Sequence, residues 1–168
     1  MNITLIGMPG AGKSVVGKRL AERLGYECID TDTILEEQYH LPLQRVLEQL
    51  GAEAFLKKEA EIVISQTSGR SNLVVSPGGS AVYDRNTMKH LKNVSKIFYL
   101  KVPLPALTQR IGTTPRGIVG AQEKTLEELY AERVPLYESY ADYTINGDQE
   151  AETVVSDIVS AVLQRTAV

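Results

Sequence analysis

The chain has 168 residues, 43% hydrophobic and 23% charged, enough to bury one sizeable core and too apolar for disorder. Eighteen Lys and Arg against 21 Asp and Glu give a net charge of −3. That balance excludes a generic polyanion binder such as a nucleic-acid-coating protein, though not a local basic pocket for a small phosphate. One cysteine (Cys28) and two separated histidines (His40 and His90) offer neither a disulfide nor a zinc site. No apolar run approaches the roughly eighteen residues of a membrane span, and the opening MNITLIGMPGAGKS lacks the basic n-region of a signal peptide. The expectation is a cytoplasmic monomer with no nucleic-acid or membrane partner.

Apolar β-favouring runs alternate with helical patterns along the chain, which implies an α/β fold with a parallel sheet and crossover helices. Asn2 to Ile6 reads as a buried first strand closed by Gly7. Lys13 to Leu24 places Val15, Val16, Leu20, Ala21 and Leu24 at helical spacing, with Gly25 as the residue that ends the helix. Tyr26 to Ile29 reads as a second strand, followed by an acidic turn, Asp30-Thr31-Asp32. From Thr33 to Ser68 the pattern is helical, with Pro42 starting one helix and Gly51 separating it from the next. Leu73 to Ser76 is a third strand running into Pro77-Gly78-Gly79-Ser80. A helix around Arg85 to Leu91, a strand over Lys96 to Val102 and a helix from Pro105 to Ile111 follow. Residues 112–122 are rich in turn formers and read as a mobile loop carrying Arg116. Thr125 to Ala141 is helical, Tyr143 to Ile145 a fifth strand, and Ala151 to Gln164 a closing amphipathic helix. No repeat, linker or low-complexity tract divides residues 1–168, so one domain is expected.

Gly7-Met8-Pro9-Gly10-Ala11-Gly12-Lys13-Ser14 matches GxxxxGK[ST] at every fixed position, with a strand before it and a helix after it. The glycines let successive backbone N–H groups turn inward on an anion, and the following helix adds its positive end. Gly10, Ala11, Gly12, Lys13, Ser14 and Val15 are therefore candidate nucleotide-phosphate ligands, Lys13 for the β- and γ-phosphates and the Ser14 hydroxyl for Mg²⁺. The chain has no NKxD guanine-reading motif and is short for a motor ATPase, so a small P-loop kinase is the best fit.

Asp30 and Asp32 follow the second strand, and the carboxyl ends of neighbouring strands in a doubly wound sheet open on one crevice. Asp30 is a candidate for the metal side. For Asp32 two readings stand: a base that orients an acceptor hydroxyl and takes its proton, or a cap for the following helix.

The P-loop near the N-terminus, Asp30-Thr31-Asp32 eighteen residues on, Phe55-Leu56-Lys57-Lys58-Glu59, the Gly78-Gly79 turn and Arg133-Val134-Pro135-Leu136-Tyr137 together resemble the shikimate kinase family, in order over nearly the whole chain. The resemblance implies a P-loop kinase-like three-layer α/β/α fold with a five-stranded parallel sheet of order 2-3-1-4-5. It also implies acceptor-binding helices within 33–62, a lid over 112–122, and transfer of the γ-phosphoryl group of ATP to the 3-hydroxyl of shikimate. By the same resemblance Asp32 binds the shikimate hydroxyls and Ser76 lies near the Mg²⁺ site. Gly78 and Gly79 offer amides to the acid, and Arg133 binds its carboxylate. Arg116 covers the transferring phosphate, and Arg110 flanks the adenine. Read without the Pro135-Leu136-Tyr137 context, Arg133 better suits a surface pair with Glu128 or Glu132, while its Gly/Thr/Pro loop favours a lid role for Arg116 over an ordinary loop position.

The chain departs from the family pattern in three places. Leu56 stands where the family carries a carboxylate-gripping arginine, replacing a bidentate cation by a group with no hydrogen bond to offer. Ser80 stands where a third glycine is usual, adding a side chain and narrowing the backbone's freedom. The lid reads Thr114-Pro115-Arg116-Gly117-Ile118. Three readings follow: a shikimate kinase with a weakened carboxylate grip, a relative acting on another small hydroxylated molecule, or a nucleotide-dependent binding protein with little catalysis.

Overall fold

The computed structural model describes residues 1–112 and 117–163. Its centre is a five-stranded, all-parallel sheet in the order β2-β3-β1-β4-β5, built from β1 (Asn2–Ile6), β2 (Glu27–Asp30), β3 (Leu73–Ser76), β4 (Ser95–Lys101) and β5 (Tyr143–Asn146). This is the order the resemblance implied. Every residue of β1 and β3 is buried, as expected for inner strands covered on both faces.

Among the described residues eight α-helices connect and flank the strands: α1 (Lys13–Leu24), α2 (Thr31–Tyr39), α3 (Leu43–Leu50), α4 (Ala52–Thr67), α5 (Arg85–Val94), α6 (Leu104–Ile111), α7 (Leu126–Tyr140) and α8 (Ala151–Leu163). α1 packs on β1, β2 and β3 and against α8, while α5 and α7 pack on β4. The main core runs through the sheet from Ile29 to Ile145; a second apolar cluster of Leu35, Val46, Leu47, Phe55, Ile62 and Val119 sits beneath α2, α3 and α4. None of the described helices is long and apolar enough to cross a membrane.

Element ends differ from the sequence expectation by small, explicable amounts. Gly25 is left-handed (φ 66°) and the Tyr26 N–H closes onto the Ala21 carbonyl at 2.9 Å, so Tyr26 still belongs to the helix terminus. The strand therefore begins one residue late, where the Glu27 N–H meets the Asn72 carbonyl at 3.0 Å. The expected acidic turn is not a turn. Asp30 is both the last residue of β2 and the N-cap of α2, its Oδ1 accepting the N–H groups of Asp32 and Thr33 at 3.1 and 3.2 Å.

In this strand order the connections reverse direction between β1 and β3, which opens a crevice at their carboxyl ends. β1 delivers the P-loop to that crevice, β2 delivers Asp30 and Asp32, and β3 delivers the glycine turn.

Candidate active site

The P-loop satisfies the geometry its sequence implied. Gly10 (φ 81°) and Gly12 (φ 93°) occupy conformations that side chains disfavour, and a Cβ on Gly10 would lie 2.9 Å from Ile111 Cγ1. No side chain caps α1, so its first amides are left for a ligand. Lys13 is buried and donates from Nζ to the carbonyls of Gly7 and Met8 at 2.9 and 3.1 Å. Burial lowers its pKa, while Asp32, Asp30 and Glu59 act in the opposite direction.

A cavity of about 300 Å³ lies over this loop. Gly10, Gly12, Lys13, Ser14 and Val15 form one wall; Asp32, Ser76, Gly78, Gly79, Ser80 and Arg133 form another; Leu43, Phe55 and Val119 supply apolar surface. The strand ends thus bring P-loop, Asp32, glycine turn and Arg133 to one cavity. Ala11 is buried behind the loop. Ser76 turns its hydroxyl to the Lys13 carbonyl at 3.3 Å. Arg110 does not line this cavity; it holds Asp148 at 2.9 Å and the Gly147 carbonyl at 3.3 Å. Arg116 lies outside the described residues.

Asp32 is the acid that points into the cavity, because Asp30 has taken the cap. Burial lifts its carboxyl to about 6, against the pull of Lys13, and the neighbouring charges of Asp30 and Glu36 add to the rise. Ser14, Asp30 and Asp32 also line one adjoining recess, a set of hard oxygen donors. Among the described residues no cluster of three or more His, Cys, Asp or Glu is arranged to cage a metal. A hydroxyl with one or two carboxylates suits Mg²⁺, which keeps waters and takes phosphate oxygens for its remaining positions.

Arg133 is 1% exposed and pairs with neither Glu128 nor Glu132. α7 aims it inward, where Nη2 donates to the Val119 carbonyl at 2.7 Å and Nε to the Tyr83 hydroxyl at 3.1 Å. A Cβ on Gly79 would lie 3.3 Å from Nη1 and 2.9 Å from Pro9 Cδ, so glycine there permits the guanidinium and the P-loop to approach one another. Tyr137, one turn after Arg133, fixes the same turn by donating to the Gly79 carbonyl at 2.6 Å.

Glu59 is a residue to which sequence reasoning gave no role. It is 1% exposed, and among the described residues no ion pair reaches it. Its Oε1 accepts the Gly78 N–H at 2.6 Å and the Thr31 hydroxyl at 3.3 Å, and its Oε2 accepts the Ser80 hydroxyl at 3.2 Å. The Gly78 amide is thus already engaged, whereas sequence reasoning offered both glycine amides to the acid. The signal was present in the spacing: Glu59 lies four residues after buried Phe55, on the inward face of α4. Ser80 has ordinary helical torsions (φ −86°, ψ −10°), so serine is unstrained there and its hydroxyl has a defined acceptor. Leu56 packs against the second apolar cluster and does not line the cavity. Lys13 and Arg133 are the cavity's only cations among the described residues.

Burial, reinforced by Asp32, lifts the Glu59 carboxyl from 4.5 to about 7 against its three hydrogen bonds. Because the folded value exceeds the unfolded one, the folded chain holds the proton more tightly. The associated stability is complete below about pH 4.5 and is lost as pH rises through 7, an effect of about 3 kcal/mol. Thermal unfolding of the ligand-free protein between pH 4.5 and 8 should show that loss, and Glu59→Gln should make the profile shallower, leaving the share of the same sign that Asp32 contributes. An equally steep profile in the variant would remove Glu59 as its source.

A family model described as shikimate kinase matches residues 9–163. The shikimate kinase of Francisella tularensis subsp. novicida is 34% identical over 98% of this chain and 96% of its own length. A solved structure of shikimate kinase from Acinetobacter baumannii, in complex with shikimate, superposes with a TM-score of 0.89 at 32% identity, covering 99% of this chain and 95% of that one. The shikimate kinase of Aquifex aeolicus gives a TM-score of 0.85 at 25% identity, covering 99% of both chains.

Proposed function

The chain belongs to the shikimate kinase family, and from that membership we propose that it transfers the γ-phosphoryl group of ATP to the 3-hydroxyl of shikimate, with Mg²⁺ as cofactor. One observation carries the reading above the others. A P-loop lysine, a half-buried aspartate and a buried arginine that pairs with no carboxylate among the described residues line the same cavity.

In this reading the free amides of the P-loop and Lys13 receive the β- and γ-phosphates and offset the charge that spreads over the transferring group. Ser14 and Asp30 are the proposed holders of Mg²⁺, which when bound neutralises phosphate charge. Arg133 takes the acceptor's carboxylate as a charge-assisted pair, with the Gly79 amide beside it. Asp32 orients the acceptor hydroxyl and accepts its proton. The hydroxyl oxygen forms a bond to the γ-phosphorus, the bond from that phosphorus to the β-bridging oxygen breaks, and ADP leaves with the electron pair. A carboxyl titrating near 6 is ionised at neutral pH yet basic enough to take a proton, which suits that role. Residues 112–122 are the proposed lid, with Arg116 assigned by resemblance to the transferring phosphoryl; residues 33–62 are the proposed acceptor-binding helices.

With Leu56 packed away from the cavity, Arg133 is, among the described residues, the one arginine left to grip the carboxylate. Loss of a second arginine predicts acceptor binding roughly ten- to a hundredfold weaker than a two-arginine site would give. The test is ADP release from Mg·ATP with shikimate scanned into the high millimolar range. Saturable, shikimate-dependent turnover at a high KM is the expected result. No stimulation in protein that binds ATP would overturn shikimate as the acceptor and favour another small hydroxylated molecule.

A further inference from the structure

Arg133 carries its charge at 1% exposure with no carboxylate ion-paired to it among the described residues, so its hydrogen bonds and the groups packed against it set where its plane points. One of them comes from outside the motifs that located the site. Tyr83 ends the single 3-10 turn after the glycine segment, Ala81–Tyr83, and flanks the guanidinium with its ring centroid 5.1 Å from Cζ. Its hydroxyl accepts the Nε proton at 3.1 Å and itself bonds to Glu132 Oε1.

The direction of this relay follows from proton counting. A carboxylate only accepts, so the one phenolic proton goes to Glu132 and the lone pair left on the oxygen faces Arg133. Glu132 is held in turn by Lys124, which donates to its other oxygen. The residue adjacent to Arg133 in sequence therefore acts on it through a side chain 50 positions away.

We propose that Tyr83, with its hydroxyl oriented by Glu132, is a positioning residue that sets the Arg133 guanidinium toward the acceptor carboxylate. The proposal deepens the assignment of Arg133 above and rests on it. Tyr83→Phe keeps the ring and removes the oxygen; it should raise KM for shikimate about tenfold, with kcat within about twofold and KM for ATP unchanged. Glu132→Gln keeps the shape but its amide can donate to the phenol oxygen, which turns the phenolic proton toward Nε and cancels the bond. It should reproduce the Tyr83→Phe effect, and the double variant should be no worse than either single one.

A second measurement needs no substrate. Solvent exchange of the Arg133 Nε proton, followed by ¹⁵N NMR in the ligand-free protein, should quicken in both variants. Unchanged exchange, unchanged KM, or additive KM effects would each overturn the relay. If exchange quickens as expected while wild-type protein shows no response to shikimate, the positioning stands and the acceptor assignment falls.

Discussion

Lys13→Met is expected to lower kcat about a thousandfold, a loss of roughly 4 kcal/mol of transition-state stabilisation. The lysine is the only side-chain cation on the phosphate wall of the cavity among the described residues, and it reaches that wall from the first residue of α1. Methionine keeps a similar unbranched apolar stem, one atom shorter, but supplies neither charge nor donor. The carbonyls of Gly7 and Met8 lose their Nζ partner, while a charge that burial disfavours is also removed, as its lowered pKa shows. These act in opposite directions on stability, so the thermal midpoint should move by only a few degrees. Steady-state ADP release together with thermal unfolding checks both halves. A variant with near-normal kcat would remove the P-loop from the mechanism.

Asp32→Asn is expected to lower kcat by about 10²–10⁴ with KM for ATP near the wild-type value. The substitution is isosteric and leaves the capping of α2 intact, because that work belongs to Asp30. It also relieves the repulsion that Asp32 imposes on Glu59 and Asp30. Stability should therefore hold or rise. Asp30→Ala should do the opposite, lowering stability by about 1 kcal/mol through loss of the cap. Measuring kcat and thermal midpoint for both variants separates base from cap. Full activity in Asp32→Asn with a lowered midpoint would return Asp32 to a structural role.

The order of the sheet came with the family resemblance, while the sequence by itself determined the strands, the helices to within three residues at their ends, and the phosphate loop. Each is a local matter: buried runs of branched residues, a 3.6-residue period, and glycines where the backbone must turn around an anion. The motif residues Lys13, Asp32, Gly79 and Arg133 were legible because their spacing along the chain resembles one family. What only the tertiary structure decided is which groups share a proton, a charge or a donor. Asp30 and Asp32 are chemically alike in sequence, and the helix start between them, at Thr31, makes one a cap and the other a cavity acid. Arg133 read locally as a surface partner for Glu128 or Glu132, and the packing of α7 on β4 buried it away from both. Glu59 looked like one more charge on a polar helix until the Gly78 amide and Ser80 hydroxyl arrived from 19 and 21 residues downstream. Tyr83 carried no motif at all. Its hydroxyl acquires a role because the 3-10 turn at Ala81–Tyr83 ends beside α7. The Asp30 cap is local, but the pairings of Glu59 and Tyr83 form between segments far apart in the chain, and no local pattern of residues encodes those partners.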